Sequence, residues 1–222
     1  MRKALNKAPE DIYSKARKNM VLGLAERGIN DPFVLDAMRR IPRHVFVEEG
    51  LVPQAYNDFP LPIGDKQSIS QPYMVALMTE ALRLRGGEKV LEIGAGSGYQ
   101  SAVLSMLAER VFSIERIGSL AARAKKNLDG LLCPNVQVRY GDGTLGWPEE
   151  APFDAIISAA SSPEVPGPYL DQLSENGVLV MPVGAGETQD LVRVFKRGAG
   201  IIKERISLCR FVRLVGRYGW EA

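Results

Sequence analysis

Histidine is almost missing from this chain of 222 residues, where His44 is the single one. Cysteine is scarce too, with only Cys133 and Cys209. Without a Cys/His cluster, zinc sites of the common kinds are excluded, because they need three or four such ligands. Two cysteines make no disulfide framework, and they read as two buried thiols. A Ser-His-Asp hydrolase would have to use His44. That residue sits in "IPRHVFV", between arginine and valine, and the chain has no G-x-S-x-G elbow. It reads as an ordinary surface or core-edge histidine. The chemistry of this chain should not need a histidine base.

Charge excess is lacking as well. The net charge of +2 is too small to argue for nucleic acid or an acidic membrane as partner. No apolar run reaches the ~20 residues that cross a bilayer. The opening "MRKALNKAPEDIYSKARKN" has no apolar core and does not read as a secretory signal. The 45% hydrophobic and 24% charged residues are those of an ordinary globular chain. The expectation is a cytoplasmic monomer with one domain over 1–222. Within it, 1–85 would hold N-terminal helices and a lid loop, 86–183 a cofactor-binding core, and 184–222 C-terminal strands.

Residues 9–28 read as an amphipathic helix, with Ile12, Ala16, Met20 and Leu24 at helical spacing. Asp31-Pro32 opens a second helix over 31–40, which Pro42 stops. The proline-bearing stretch "GLVPQAYNDFPLPIGDKQSISQP" reads as a long loop, a length that suits a lid or binding element. Pro72 starts a helix over 72–84. Strands then fall at 88–93, 110–115, 135–140, 153–158 and 177–182, with helices near 98–108, 117–128 and 166–174. This alternation predicts an α/β fold, a doubly wound, mostly parallel sheet. The β-branched tail, broken at Gly198-Ala199-Gly200, predicts an antiparallel hairpin added at the sheet edge. A ligand should sit beyond the carboxyl ends of the first strands.

The segment "VLEIGAGSGYQ" carries the chemistry. A dinucleotide fingerprint needs G-x-G-x-x-G. Here Gly94, Gly96 and Gly98 are spaced G-x-G-x-G, and Tyr99 stands where that fingerprint has its third glycine. A tyrosine there opposes close helix–strand packing around a pyrophosphate, so a nicotinamide oxidoreductase is disfavoured. Glu115 ends the strand "RVFSIE" 21 residues past Gly94 and can accept ribose hydroxyls. Asp142 in "YGDG" can take an adenine amino group, and Gly143 permits close approach.

The form E-x-G-x-G-x-G resembles the first motif of S-adenosylmethionine-dependent methyltransferases, whose cofactor has no phosphate. The ordered set "LPIGDKQSISQPYMVALMTEAL", "VLEIGAGSGYQSAVLS", "SIERI", "GDG", "PFDAII" and "PEVP" is similar to the protein-L-isoaspartate O-methyltransferases, roughly from residue 12 to 216. The resemblance implies a Rossmann-like class I methyltransferase. It implies methyl transfer from S-adenosyl-L-methionine to the free carboxylate of isoaspartyl residues in proteins and peptides. S-adenosyl-L-homocysteine is then a product, and repair proceeds through a methyl ester and a succinimide. A methyltransferase of the same fold with another carboxylate acceptor is the alternative.

By the same resemblance Ser70 is the catalytic residue, its hydroxyl orienting the acceptor carboxylate. From its position, Ser70 could also cap the helix at Pro72. The cofactor set is Ser68, Ile69, Glu92, Gly94, Ala95, Gly96, Ser97, Gly98, Tyr99, Glu115, Asp142 and Gly143. Tyr56, Asp58, Ile63, Val212 and Leu214 would form the substrate wall, with no metal. Two places depart from the family's pattern: Arg213 stands where "FVRLVG" often has proline, and Ser161-Ser162 alter a T-A-A-type loop. An arginine at that place keeps a backbone N–H and adds a charge.

Overall fold

The computed structural model describes residues 12–198 and 200–221. Three helices precede the sheet: α1 (Ser14–Glu26), α2 (Pro32–Arg40) and α3 (Pro72–Ala81). Asp31 caps α2, accepting from the N–H groups of Phe33 at 2.8 Å and Val34 at 3.4 Å, while Pro32 occupies a position that needs no donor. The expected helix over 9–28 begins later, at Ser14, and positions 9–11 lie outside the described residues. Met20 and Leu24 are its buried residues, whereas Ile12 is 88% exposed and Ala16 is exposed. Tyr13 and Val21 complete the packed face instead.

The stretch between α2 and α3 is not a plain loop. It folds into 3-10 turns at Arg43–Phe46 and Glu49–Gln54, then a hairpin of β1 (Leu61–Gly64) and β2 (Gln67–Ile69). The hairpin turns at Asp65 and Lys66, both left-handed at φ 50° and 58°. Such a turn normally asks for glycine or asparagine, so its sequence carried no hairpin signal. Asp65 is held there by a hydrogen bond from Ser119 Oγ at 2.7 Å.

The core is a seven-stranded sheet built from β3 (Lys89–Ile93), β4 (Arg110–Glu115), β5 (Val136–Tyr140), β6 (Phe153–Ser158), β7 (Leu173–Val183), β8 (Gln189–Arg197) and β9 (Gly200–Cys209). Their order is β5-β4-β3-β6-β7-β8-β9. The first five run parallel, and β8 and β9 add antiparallel at one edge, as the pattern predicts. The helices α4 (Tyr99–Ser105), α5 (Gly118–Gly130) and α6 (Gly167–Gln172) are shorter or shifted by a few residues from expectation, and β7 starts earlier than expected.

Alternation along the strands divides the core in two. Val90, Val111, Ala155 and Val180 face the helices α1 to α5. Leu91, Phe112, Phe153 and Leu179 face the other side, where Tyr169 of α6 and Leu214 cover them. Buried parallel strands need apolar residues on both faces, which is why these runs are almost continuously hydrophobic. The strand order switches at β3, with β4 on one side and β6 on the other, and a crevice opens at their carboxyl ends. Of the two cysteines, Cys209 is buried but Cys133 only half so, which corrects the expectation of two buried thiols.

Gly98 is held left-handed at φ +92° at the start of α4, and a Cβ there would stand 3.3 Å from the backbone of Ala124 in α5. Gly98→Ala should destabilise the protein by at least about 1–2 kcal/mol, read from the urea midpoint. Gly23→Ala, in α1 where a Cβ would meet nothing within 4 Å, should raise stability by up to about 1 kcal/mol.

Candidate active site

The turn from β3 into α4 is a run of left-handed glycines, with φ of 90° at Gly94, 55° at Gly96 and 92° at Gly98. Side chains with a Cβ rarely adopt this conformation, so the turn needs glycine at these places. Strand pairing continues into it, since Gly94 N–H donates to the Ile114 carbonyl at 2.8 Å. Glu115, at the end of β4, accepts from Gly96 N–H at 2.8 Å through one oxygen and from Ile117 N–H at 2.9 Å through the other. Each carboxylate oxygen keeps a further lone pair for a ligand hydroxyl.

A cavity opens over this turn. Ser68, Ile69, Glu92, Gly94, Ala95, Gly96, Ser97, Tyr99, Glu115 and Gly143 of the predicted cofactor set line it. Ser70, Ile63, Val212 and Leu214 line it too. Gly98, Asp142, Tyr56 and Asp58 are not among the lining residues. Gly143 is a close approach: a Cβ there would fall 2.6 Å from Ile93 Cγ2.

Those outside the cavity brace it. Asp142 accepts from Thr144 N–H at 2.9 Å and its hydroxyl at 2.7 Å, and from Arg217 N–H at 3.0 Å. Burial pushes its carboxyl up, but these donors outweigh it and hold Asp142 below the usual range. In the structure it latches the C-terminal segment, beside the lining residue Gly143. The Asp58 carboxylate pairs with Arg27 and accepts from Gln71 Nε2 at 2.7 Å and Tyr73 N–H at 2.9 Å. It thereby supports the first turn of α3, whose N-cap is Gln71. Ser70 is no helix cap, and its hydroxyl has no hydrogen-bond partner among the described residues. Tyr56 lies in the core, its hydroxyl accepting from Arg17 at 3.2 Å and lying 2.7 Å from His44 Nδ1. His44 stacks on Tyr13 at 4.5 Å between ring centroids and does not line the cavity.

Arg43 was not singled out from the sequence, though it is fully buried. Its Nε donates to the Ala55 carbonyl and its Nη2 to the Ser70 carbonyl, each at 2.8 Å. The guanidinium lies 4.8 Å from the Tyr99 ring centroid. One cation thus joins the lid, the Ser70 backbone and the helix after the glycine turn. Burial lowers its pKa. The only trace in the sequence is an arginine inside the apolar run "IPRHVFV".

Glu92 is fully buried on β3. One oxygen accepts from the Ser101 hydroxyl and, at 2.7 Å, from the Ser113 hydroxyl. The other, Oε1, has no partner among the described residues. Burial pushes this carboxyl up to about 7, with the two serines opposing and Glu115 adding to the rise. A buried acceptor without a donor, in a cavity wall, is a place for a ligand's hydrogen-bond donor.

The family model for protein-L-isoaspartate(D-aspartate) O-methyltransferase matches residues 15–219. The chain belongs to this family. It is 57% identical over 211 residues to the protein-L-isoaspartate O-methyltransferase of Syntrophotalea carbinolica, covering 94% of this chain and 97% of that one. It is 58% identical to protein-L-isoaspartate O-methyltransferase 1 of Syntrophobacter fumaroxidans, covering 94% and 98%. Among solved structures, a protein-L-isoaspartate O-methyltransferase superposes with a TM-score of 0.84 at 29% identity, covering 91% of this chain and 67% of that one. A Plasmodium falciparum protein described under the same activity, in complex with S-adenosyl-L-homocysteine, superposes with a TM-score of 0.79 at 29% identity, covering 90% and 98%. The resemblance read from the motifs therefore holds over nearly the whole methyltransferase chain.

Raising the Glu92 pKa makes the folded protein hold a proton that the unfolded chain releases. The ligand-free protein consequently loses stability as pH rises from about 4.5 to about 7, by a penalty on the order of 3 kcal/mol that is complete above that window. Glu92→Gln keeps an acceptor for both serines and cannot ionise. It should raise the melting temperature of the ligand-free protein at pH 8 and leave it nearly unchanged at pH 4.5. An equal shift at both pH values would contradict the raised pKa.

Proposed function

We propose that this chain methylates the free carboxylate of L-isoaspartyl residues in proteins and peptides, with S-adenosyl-L-methionine as methyl donor. The observation that carries the reading is the convergence, in one cavity, of the glycine turn with Glu115 on one side and the unengaged Ser70 hydroxyl on the other. The reading takes the chain to act as a cytoplasmic monomer. Among the described residues no helix is long and apolar enough to cross a membrane.

The lining fits this donor. Glu115 presents two oxygens to ribose hydroxyls, and Glu92 Oε1 offers a buried acceptor. The left-handed glycines let backbone, rather than side chains, form the floor under the ligand. When bound, S-adenosyl-L-methionine supplies an activated methyl group, whose transfer leaves S-adenosyl-L-homocysteine and a methyl ester on the acceptor.

The residues of the chain bind and orient. An α-carboxyl with an ordinary pKa of about 3.5 is already ionised at neutral pH, so no general base is required. That agrees with a cavity whose described lining contains no histidine. The Ser70 hydroxyl is free to donate to one acceptor oxygen and turn the other toward the methyl group. Arg43 acts through Ser70: by holding its carbonyl it fixes where the hydroxyl points. Val75, Met78, Ile157 and Leu214 give the cavity an apolar lining that excludes water from the reacting oxygen.

The direct test is transfer of labelled methyl to two peptides that differ only in an isoaspartyl or a normal aspartyl linkage. Base-labile label should appear on the isoaspartyl peptide alone, and label on neither would refute the reading. Ser70→Ala should lower kcat by about tenfold, the worth of one strong hydrogen bond to a charged group, while the Kd for S-adenosyl-L-homocysteine stays within twofold. Arg43→Lys keeps the charge but loses the fixed fork whose Nε and Nη2 reach the two carbonyls separately. It should lower kcat by about three- to tenfold with the same Kd, in a protein whose far-ultraviolet spectrum is unchanged.

A further inference from the structure

The segment after β9 returns across the carboxyl end of β6. Ser161 N–H donates to the Val212 carbonyl at 2.8 Å, and Leu214 N–H donates to the Ser161 carbonyl at 2.7 Å. Because the residues on either side of Arg213 take these bonds, its own N–H and C=O face the opposite edge. Among the described residues neither group has a backbone partner. Arg213 and Val212 are exposed at this edge, and both line the cavity that holds Ser70. An extended peptide can pair with such an open edge through its main chain.

The side chain of Arg213 is placed in advance. Its guanidinium carbon stands 4.6 Å from the Trp220 ring centroid. That indole is itself fixed, with Nε1 donating to the Ser161 carbonyl at 3.0 Å and the Trp220 N–H donating to the Leu214 carbonyl at 2.7 Å. No carboxylate among the described residues pairs with Arg213, unlike Arg193 with Glu204 or Arg139 with Glu149. A stacked guanidinium loses little freedom on binding, and its planar fork suits a carboxylate.

Topology separates this cation from the methyl donor's ribose end. Glu115 ends β4, on one side of β3, whereas Ser161 follows β6 on the other. Arg116, the other arginine of the lining, belongs to the Glu115 side. Arg213 therefore stands on the side of the cavity away from Glu115.

We propose that Arg213 is a specificity-determining residue that selects isoaspartyl acceptors carrying a second carboxylate, an aspartate or glutamate within about two residues of the isoaspartyl linkage. Side chains two apart in an extended chain share a face, which brings that carboxylate to the guanidinium when the main chain pairs with the Arg213 edge. The inference rests on the isoaspartyl reading above and adds a charge preference to it.

The test uses isoaspartyl peptides that differ only at one residue, Glu, Gln or Lys, placed two positions before or two after the isoaspartyl linkage. kcat/KM is measured for the wild-type chain, Arg213→Gln and Arg213→Glu at low and high salt. The wild type should favour Glu over Lys by about five- to tenfold at low salt in at least one placement, and high salt should shrink the ratio. Arg213→Gln should bring the ratio near one, and Arg213→Glu should invert it. Each ratio is taken within one enzyme, so a loss of folded protein cancels. A wild-type ratio near one in both placements, or a ratio that Arg213→Gln leaves unchanged, would overturn the inference and spare the isoaspartyl reading. A raised KM for S-adenosyl-L-methionine in Arg213→Gln, with the peptide ratio unchanged, would assign the cation to the methyl donor instead. Turnover of none of the peptides by the wild type would sink the isoaspartyl reading, and this inference with it.

Discussion

The hydrogen bond from Gly96 N–H to Glu115 is the contact on which the site depends. A turn made of left-handed glycines has no side chains of its own to hold it, and backbone freedom there is costly to freeze. Glu115 freezes it from the neighbouring strand, using one oxygen for Gly96 and the other for Ile117 at the entry to α5. The parallel register of β3 and β4 brings the carboxylate to this height, with Ile93 opposite Ile114 and Glu115 one step beyond. The sheet thus sets the position of the turn, and the turn sets the floor of the cavity.

The lid depends on a different kind of contact. Between α2 and α3 the chain has little regular structure to satisfy its backbone, and side chains from elsewhere do so. Arg43 takes two of its carbonyls. Arg123 of α5 donates to Ile63 and Phe46 carbonyls at 3.0 and 3.3 Å. Asp58 meets the start of α3. Burying a guanidinium is unfavourable, and removing one that holds two buried carbonyls leaves those acceptors orphaned. The arrangement makes the lid one unit with the helices behind it, so that the Ser70 wall and the glycine floor keep a fixed separation.

The far wall is made by the C-terminal segment. Asp142 binds Arg217 N–H, Tyr218 N–H donates to Thr144 Oγ1 at 3.1 Å, and the Trp220 indole reaches Ser161. A stretch with no strand partner along its outer edge among the described residues is in this way held against the carboxyl end of β6. Chemistry that needs no proton transfer by the enzyme places its demands on such walls. They must exclude water and present a few donors and acceptors, and a chain nearly free of histidine can meet both needs.

How much of this was legible in the sequence varies with the range of the interaction. The parallel strands were visible because strands buried on both faces are mostly apolar, and their ends fell within a residue or two, except that β7 starts at Leu173, four residues before the expected 177. The glycine turn and Glu115 were visible because their spacing reports a strand–turn–helix that is local in the chain. The β1–β2 hairpin was not, since Asp65 and Lys66 adopt a left-handed turn that Ser119, far along the chain, helps to hold. Arg43 did not stand out, because only folding brings Ala55, Ser70 and Tyr99 around it. Asp142 read as a ligand group, but the C-terminal segment that occupies it arrives from 75 residues away. Local pattern alone thus determined the fold class, the cofactor turn and the identity of the acids beside it. Which side chains face the cavity, which are consumed in bracing it, and where charge stands free at its rim were decided by tertiary structure, because each depends on partners distant in the chain.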